Sequence, residues 1–225
     1  MSNIIVSYDG TYNEDDAVAL GRVFAEAGAE VSLAYVRHAP EPETAREILA
    51  QHEAETLLAR GAELLGHDVD RHVITDRSTP DGLRALAERV GAEAIVFCSD
   101  SHTAQGHVAV GNSAQRLLEG GACAVAVAPA GYAKAAGRPV QIGVVGDGSA
   151  HTTAQALAAG LDAELVSADA AGVDLLVVGS RPDAPQGRVS LSAASENLVE
   201  NAVCPVLVVP QGRALSFDGT LARTA

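Results

Sequence analysis

The sequence predicts an α/β protein: an open, five-stranded parallel sheet with helices on both faces, followed by a smaller, degenerate copy of the same unit. Two observations predict this architecture. Short apolar runs alternate with amphipathic stretches over residues 3–128, and a β-α-β order with apolar strands is typical of a parallel sheet covered on both faces. Segments of the first part also recur later in the chain, which indicates an internal repeat.

The second copy of the repeat has lost its middle. The recurring segments are 4–10 with 142–148, 91–99 with 172–180, and 123–129 with 204–210. The segment 11–90 of the first copy is therefore represented in the second only by 149–171, and the loss falls after the first strand. We expect a first domain at 1–132, a shortened second domain at 138–211, and a loosely held polar tail at 212–225.

The first copy contains five predicted strands and four predicted helices. The apolar runs indicate strands at 3–8, 30–36, 72–75, 94–98 and 123–128. Apolar residues at the spacing of one helical face indicate helices at 15–27, 42–65, 79–90 and 112–119. The third helix begins with Thr79-Pro80-Asp81, the pattern of a capping residue followed by proline.

The second copy begins with a predicted strand at 140–145 and a helix at 151–159, but residues 163–168 fit two structures. Their sequence resembles the second strand of the first copy. Yet only a few residues separate them from the next strand, whereas a parallel crossover normally needs about ten or more. Leu157, Leu161 and Leu165 would share one helical face, so we favour a helix here and a three-stranded second copy.

Composition excludes several classes of partner. The formal net charge of −14 and the absence of Lys/Arg clusters argue against nucleic acid and against an anionic membrane surface. No apolar run reaches the ~18 residues of a membrane span, and the N-terminus lacks the basic start of a signal peptide. We expect a cytoplasmic protein whose three cysteines, Cys98, Cys123 and Cys204, are reduced core residues.

A strand ending in Asp-Gly-Thr, a loop before the last helix and a Cys-Pro-Val-Leu-Val-Val-Pro strand resemble the universal stress proteins. The resemblance covers residues 3–131 and, in shortened form, 139–210. It implies a bacterial stress-response protein, the strand order 3-2-1-4-5 and pairing through the last strands. The strands at 123–128 and 204–209 would then be neighbours in an intramolecular pseudo-dimer, each covering the other's edge. A homodimer and unidentified protein partners stay open.

The phosphate loop of that family is altered in both copies. Nucleotide-binding members carry Gly-x2-Gly-x9-Gly-Ser/Thr, whose glycines let backbone amides approach phosphates. The first copy reads Cys98-x2-Ser101-x9-Gly111-Asn112, and Asp100 adds a negative charge. The second copy reads Gly179-x2-Pro182-x9-Ser192-Ala193, in which the proline lacks an N–H donor.

The resemblance still implies a candidate nucleotide site in the first copy, for ATP or AMP with Mg²⁺. Its residues would be Asp9 and Val36 at the adenosine part and Ser99, Ser101, Gly111, Asn112 and Ser113 around the phosphates. Two of these also have plain structural interpretations. Asp9 is equally a ligand contact or the acceptor of an Asp-Gly-Thr turn, and Asn112 suits a helix N-cap. Asp147, the counterpart of Asp9, we interpret as a turn residue.

Catalysis has little support in the sequence. Cys98 lies near His102 and His107, but a cysteine in an apolar strand is usually a core residue. His67 and His72 do not share a helical face as zinc ligands do. The acidic pairs Asp15-Asp16 and Glu53/Glu55 read as solvated charge. We therefore expect a non-enzymatic regulatory protein with weak or no ATP binding and no metal, the alternative being a nucleotide-binding protein that uses the N-terminal cleft.

Overall fold

The computed structural model describes residues 1–11, 13–38, 44–135 and 137–217, without the side chains of 44–50. The strands are β1 (Asn3–Ser7), β2 (Glu30–Arg37), β3 (Arg71–Thr75), β4 (Ala94–Cys98), β5 (Ala124–Ala128), β6 (Gln141–Val145), β7 (Glu164–Ser167), β8 (Leu175–Gly179) and β9 (Val206–Val209). The helices are α1 (Glu14–Glu26), α2 (Thr44–Leu65), α3 (Thr79–Val90), α4 (Asn112–Leu118), α5 (Tyr132–Ala135), α6 (Gly148–Leu161) and α7 (Ala193–Glu200). The predicted start of α2 at residue 42 lies outside the described residues.

All strands of the described chain join one nine-stranded sheet, in the order β3-β2-β1-β4-β5-β9-β8-β6-β7. The order expected for the first copy, 3-2-1-4-5, is confirmed, but its sheet continues into the second copy instead of ending at β5. Strands β5 and β9 pair antiparallel, with Val125 opposite Val208 and Val127 opposite Val206. The prediction that these two strands are neighbours is therefore confirmed. Every other strand pair in the described sheet is parallel.

The two faces of the sheet carry two apolar cores, and each core contains residues from both copies. One face packs Ile4 of β1 and Ile142 of β6 with α1, α2 and α6. The other packs Ile5 of β1 and Val178 of β8 with α3, α4 and α7. Each fully buried aliphatic side chain contributes about 1.5–3 kcal/mol. The halves are therefore held together by the same burial that holds each half.

The second copy has four strands, so the helix favoured for 163–168 was wrong. Strand β7 pairs in parallel with β6, from Glu164 opposite Gln141 to Ser167 opposite Val144. Because β8 pairs with the other side of β6, the connection at 168–174 crosses over β6. A strand as short as β7 rises only about 13 Å, and an extended connection of this length reaches up to about 25 Å. No crossover helix is needed.

Gly143 in the middle of β6 makes that crossing possible. A Cβ atom at Gly143 would lie 2.9 Å from Val173 Cγ1 and 3.3 Å from the Ala168 Cα atom, both in the crossing segment. The counterpart in the first copy is Ile5, which is buried beneath α3. Without a side chain at this position, the crossing segment lies directly on the sheet where the first copy has a helix.

The C-terminal segment that was expected to be loosely held is anchored as far as residue 217. The Ser216 carbonyl accepts a hydrogen bond from the Ser2 amide at 2.8 Å, and the Ser216 amide donates to Ser2 Oγ at 2.9 Å. Phe217 is buried and its ring lies 6.0 Å from that of Phe24 in α1. The few apolar anchors suffice because they reach the core that contains Ile4 and Ile142. Residues 218–225 lie outside the described part of the chain.

Candidate functional site

A cavity of about 220 Å³ lies at the carboxyl ends of β1 and β2, and both predicted adenosine residues, Asp9 and Val36, line it. Its other walls include Tyr35, His38 and Thr79. Strand β1 lies between β2 and β4, and parallel sheets bind ligands where the chain order reverses in this way. The structure brings these two predicted residues together at the edge where a ligand would enter.

Asp9 forms the turn that the Asp-Gly-Thr sequence predicts. Its Oδ1 accepts a hydrogen bond from the Thr11 amide at 2.9 Å, as in an Asx turn. The side chain is nevertheless exposed to solvent at the cavity. The structural interpretation of Asp9 as a turn residue is confirmed.

Glu14 is the site residue that the sequence analysis missed. It is only 6% exposed, and its Oε2 accepts hydrogen bonds from the amides of Asp9 and, at 2.8 Å, of Gly10. Burial raises the pKa of Glu14 to about 10, with the hydrogen bond and charge of Asp9 acting in the same direction. Acidic residues are common in the first turn of a helix, so nothing in the sequence marked this one as buried.

Ser99 faces the protein and not the cavity. It is 1% exposed, its Oγ donates to the Ala128 carbonyl at 2.7 Å, and it accepts from the Ala109 amide at 3.0 Å. Asn13 Nδ2 donates to the carbonyl of Asp100 at 3.0 Å. These bonds hold the loop against β5 and α1, so the Ser99 hydroxyl serves the fold.

The other predicted phosphate residues lie along the loop and at the start of α4. Ser101 is exposed and its Oγ donates to Asp100 Oδ1 at 3.3 Å. The N-cap of α4 is Gly111, without a side-chain cap, so the expectation that Asn112 is the cap was wrong: Asn112 is the first helical residue. Ser113 follows it, partly exposed. The cap residue has backbone angles open to any residue and empty space at its Cβ position.

The loops of the two copies have closely similar hydrogen bonds, although their glycines differ. The main bonds of the first loop recur in the second at the same offset that relates Ser99 to Ser180, and two of them join the copies. Within each copy, Ser99 Oγ donates to Ala128 O as Ser180 Oγ does to Val209 O, and Ser99 Oγ accepts from Ala109 N as Ser180 Oγ does from Ser190 N. Likewise Gly106 N donates to Ala130 O as Gly187 N does to Gln211 O. Between the copies, Val108 N donates to Ala202 O as Val189 N does to Gly121 O. The loops are therefore part of the contact between the halves.

The corresponding strand ends of the second copy lie close together. Gly146 packs so tightly on Gly179 that a Cβ atom would lie 2.6 Å from its Cα atom. Asp147 caps α6 by accepting from Ala150, and also accepts from Ser149 Oγ at 2.6 Å and the Gly212 amide at 3.4 Å. Burial alone would raise the pKa of Asp147, but these hydrogen bonds lower it below its usual value. Asp147 therefore has a structural role, but as the cap of α6 and not as the turn residue that was expected.

Two expectations about charged and reactive groups can be checked. Asp16 is buried and accepts from the amides of Gly131 at 2.8 Å and Ala133 at 2.7 Å. Its assignment as solvated charge was therefore wrong, because it anchors the linker, the segment between β5 and β6. Burial, with the charges of Glu14 and Asp9, raises the pKa of the Cys98 thiol to about 12. That thiol stays protonated, as expected of a core cysteine.

Within the described residues, no group of three or more His, Cys, Asp or Glu side chains has the arrangement of a metal site. The two histidines considered as zinc ligands, His67 and His72, line a shallow cavity at the amino ends of β1 and β2. Burial lowers the pKa of His72. No described helix has the length and apolar character needed to cross a membrane.

The sheet order, the Asp-Gly-Thr turn at the switch point and the paired loops define a doubly wound α/β fold with two joined halves. The universal stress protein family model matches residues 1–129 and 162–210, and the chain belongs to that family.

Solved structures share the whole fold. A universal stress protein from Archaeoglobus fulgidus DSM 4304 is 14% identical with a TM-score of 0.65, covering 93% of this chain and 98% of that one. A putative universal stress protein from Pseudomonas aeruginosa UCBPP-PA14 is also 14% identical, with a TM-score of 0.60 and 93% of each chain covered. None of the curated proteins matches this chain.

Proposed function

We propose that this protein is a non-enzymatic regulatory universal stress protein that does not bind ATP and acts through protein contacts. One observation carries the proposal. The loop that would hold phosphates uses its own donors, Ser99 Oγ and the amides of Gly106 and Val108, to hold β5, the linker and the second copy. A loop engaged in this way has fewer donors left for a polyphosphate.

The charges around the cleft support the same proposal. Asp9 is exposed at the cavity and Asp100 is exposed on the loop that would hold phosphates, and carboxylates repel phosphate oxygens. In the second copy, Gly146 packs on Gly179 and Asp147 accepts from the Gly212 amide at the corresponding position. The net charge of −14 and the three free cysteines support a cytoplasmic location.

The cavity beside Asp9 and Val36 favours a second candidate function, the binding of a nucleoside or AMP-like ligand. Among the described residues in its walls, no side chain other than His38 is basic, and His38 is bonded to Thr79 Oγ1 at 3.1 Å, so the cavity suits a base and ribose better than a triphosphate. In that case the uncapped start of α4 would receive a single phosphate with Mg²⁺ screening the nearby carboxylates.

Calorimetry with ATP, ADP and AMP in the presence of Mg²⁺, together with the Asp100→Gly variant, separates the two functions. The proposed function predicts no saturable heat for either protein. The second candidate predicts AMP binding, an affinity that improves in Asp100→Gly because a repulsive charge is removed, and a loss of binding in Asp9→Ala. AMP binding that is unchanged by Asp9→Ala would show that the ligand lies elsewhere.

A further inference from the structure

A groove of about 360 Å³ lies between α4 and α7, where the two copies meet. Eight of the residues that line it form equivalent pairs, one member from each copy, at the offset that relates Ser99 to Ser180. The pairs are Val110 with Leu191, Gln115 with Glu196, Leu118 with Val199, and Glu119 with Glu200. The groove therefore lies across the pseudo-two-fold axis that relates β5 to β9, and it exists only because both copies are present.

The floor of this groove is apolar. Leu118 and Val199 are buried at its base, and Val110 and Leu191 are partly exposed within it. The amide of Val108, also in the lining, is bonded to Ala202 of the other copy. These contacts fix the floor, so the groove is formed before any partner arrives and its occupant does not need to order it.

The rim of the groove is acidic. Glu119, Glu196 and Glu200 are all exposed, and among the described lining residues none is basic. Glu119 directly follows α4 and Glu200 ends α7, where helices favour cations over carboxylates. The negative ends of both helices therefore border the groove and add to its negative potential.

We propose that this groove binds a short cationic amphipathic segment of a partner protein. Apolar side chains of the segment would pack on Val110 and Leu191, and its arginines or lysines would pair with Glu119, Glu196 and Glu200. Charge excludes the other occupants: a second copy of this chain would bring the same acidic groove and a net charge of −14, and phosphate-bearing lipids and nucleic acids are repelled in the same way.

This proposal rests on the proposed function, action through protein contacts, and specifies the chemistry of the partner. The two fail separately, because nucleotide calorimetry tests the cleft at Asp9 and peptide titration tests the groove. ATP binding would overturn the first and leave the second standing.

The test is titration of the full chain with a labelled amphipathic leucine/lysine peptide of about 14 residues, four helical turns, at about 0.15 M salt to screen distant charges. Saturable binding is expected. The groove variant, with Glu119, Glu196 and Glu200 all changed to Gln, is expected to bind at least tenfold more weakly. Its control changes Glu53, Glu55 and Glu63, exposed on α2, to Gln. This control has the same net charge and is expected to bind within twofold of the unmodified chain.

A second variant tests the apolar floor. Leu191→Asn is expected to weaken peptide binding at least fivefold, whereas Leu64→Asn, at an exposed leucine of α2, is expected to change nothing. Equal loss in both glutamate variants, or no saturable binding, would overturn the proposal. Dimerisation of the chain that the groove variant abolishes would also overturn it, in favour of a second copy as the occupant.

Discussion

At the scale of single residues, the side chains with the largest consequences are polar and buried. Ser99 and its counterpart Ser180 each donate to a strand carbonyl and accept from the loop amide that lies above it. Both are 1% exposed. Such a hydroxyl is difficult to replace: the strand carbonyl keeps the bond from the serine amide, but the loop amide is left without an acceptor.

We predict that Ser99→Ala lowers the free energy of unfolding by about 1–3 kcal/mol, the cost of leaving the Ala109 amide without its acceptor. Urea denaturation followed by circular dichroism measures it. Ser101→Ala is the control, since that side chain is exposed, and should stay within about 0.5 kcal/mol. An equal, small effect of both substitutions would mean that the Ser99 hydroxyl is free to serve a ligand.

The buried carboxyl group of Glu14 should make stability depend on pH. Its pKa is about 10 in the folded protein against an ordinary value of 4.5, so the folded state holds a proton that the unfolded state releases. Its contribution is fully present below pH 4.5 and is lost as pH rises toward 10.

We therefore predict that the stability of the Glu14→Gln variant increases relative to that of the unmodified protein as pH rises. Between pH 5 and pH 8 the difference in unfolding free energy should shift in favour of the variant by at least about 1 kcal/mol, against a ceiling of about 4 kcal/mol for three pH units. Urea denaturation at both values measures it, with the exposed Glu26→Gln as control. A difference that does not change with pH would contradict the burial of a protonated Glu14.

At the scale of elements, the segment 168–174 that crosses β6 shows how the second copy keeps a parallel sheet without the helices that connect the strands of the first copy. The first copy covers its sheet at this point with α3, whereas the second covers it with the segment that contains Ala168 and Val173. The exchange depends on the absence of a side chain at Gly143.

We predict that Gly143→Ala destabilises the protein by about 1–3 kcal/mol, the usual cost of overpacking a well-packed site. The new methyl group would meet Val173 and force the crossing segment off the sheet. Gly148→Ala, at a glycine with no atom near its Cβ position, should be neutral or slightly stabilising. Denaturant unfolding of both variants measures the difference. Equal stability would mean that the crossing segment is not packed on β6.

The elements of the first copy could be predicted because apolar strands and amphipathic helices alternate there. The strand β7 could not, since it is followed by a connection too short for a crossover helix, and only its pairing with β6 decides between strand and helix. The cap of α3 is Ser78 and not the predicted Thr79. Its hydroxyl accepts a hydrogen bond from the Asp81 amide at 3.4 Å, and the sequence offers two adjacent hydroxyl residues at this point.

The candidate site was predicted unevenly. Asp9 and Val36 line one cavity as the resemblance implied, because strand ends fix their positions. Ser99 and Glu14 depended on which way a side chain points, and a sequence pattern at the end of a strand or the start of a helix does not give that direction.

At the scale of the whole molecule, the two copies behave as one structure. Both cores contain residues from each copy, and the segment after β9 returns to β1 through Ser216 and to α1 through Phe217. Leu215, which precedes them, is 2% exposed and its amide donates to Thr153 Oγ1 at 3.0 Å. We expect a single cooperative unfolding transition.

We predict that Phe217→Ala lowers that transition as a whole, by about 2–4 kcal/mol, in the range of large-to-small core substitutions. Calorimetry should show one peak in both proteins, displaced to lower temperature in the variant. Leu64→Ala, at an exposed position, is the control. Two separate peaks, of which only one moves, would mean that the halves fold independently.

The claim that joins these scales is that the loops of this protein have become contacts between its halves and do not bind ATP. Calorimetric titration of the full chain with ATP and Mg²⁺, after chromatography has excluded co-purified nucleotide, tests it most directly. The account predicts no saturable binding tighter than about 1 mM, equivalent to about −4 kcal/mol. A dissociation constant near 1 μM, about −8 kcal/mol, would contradict it.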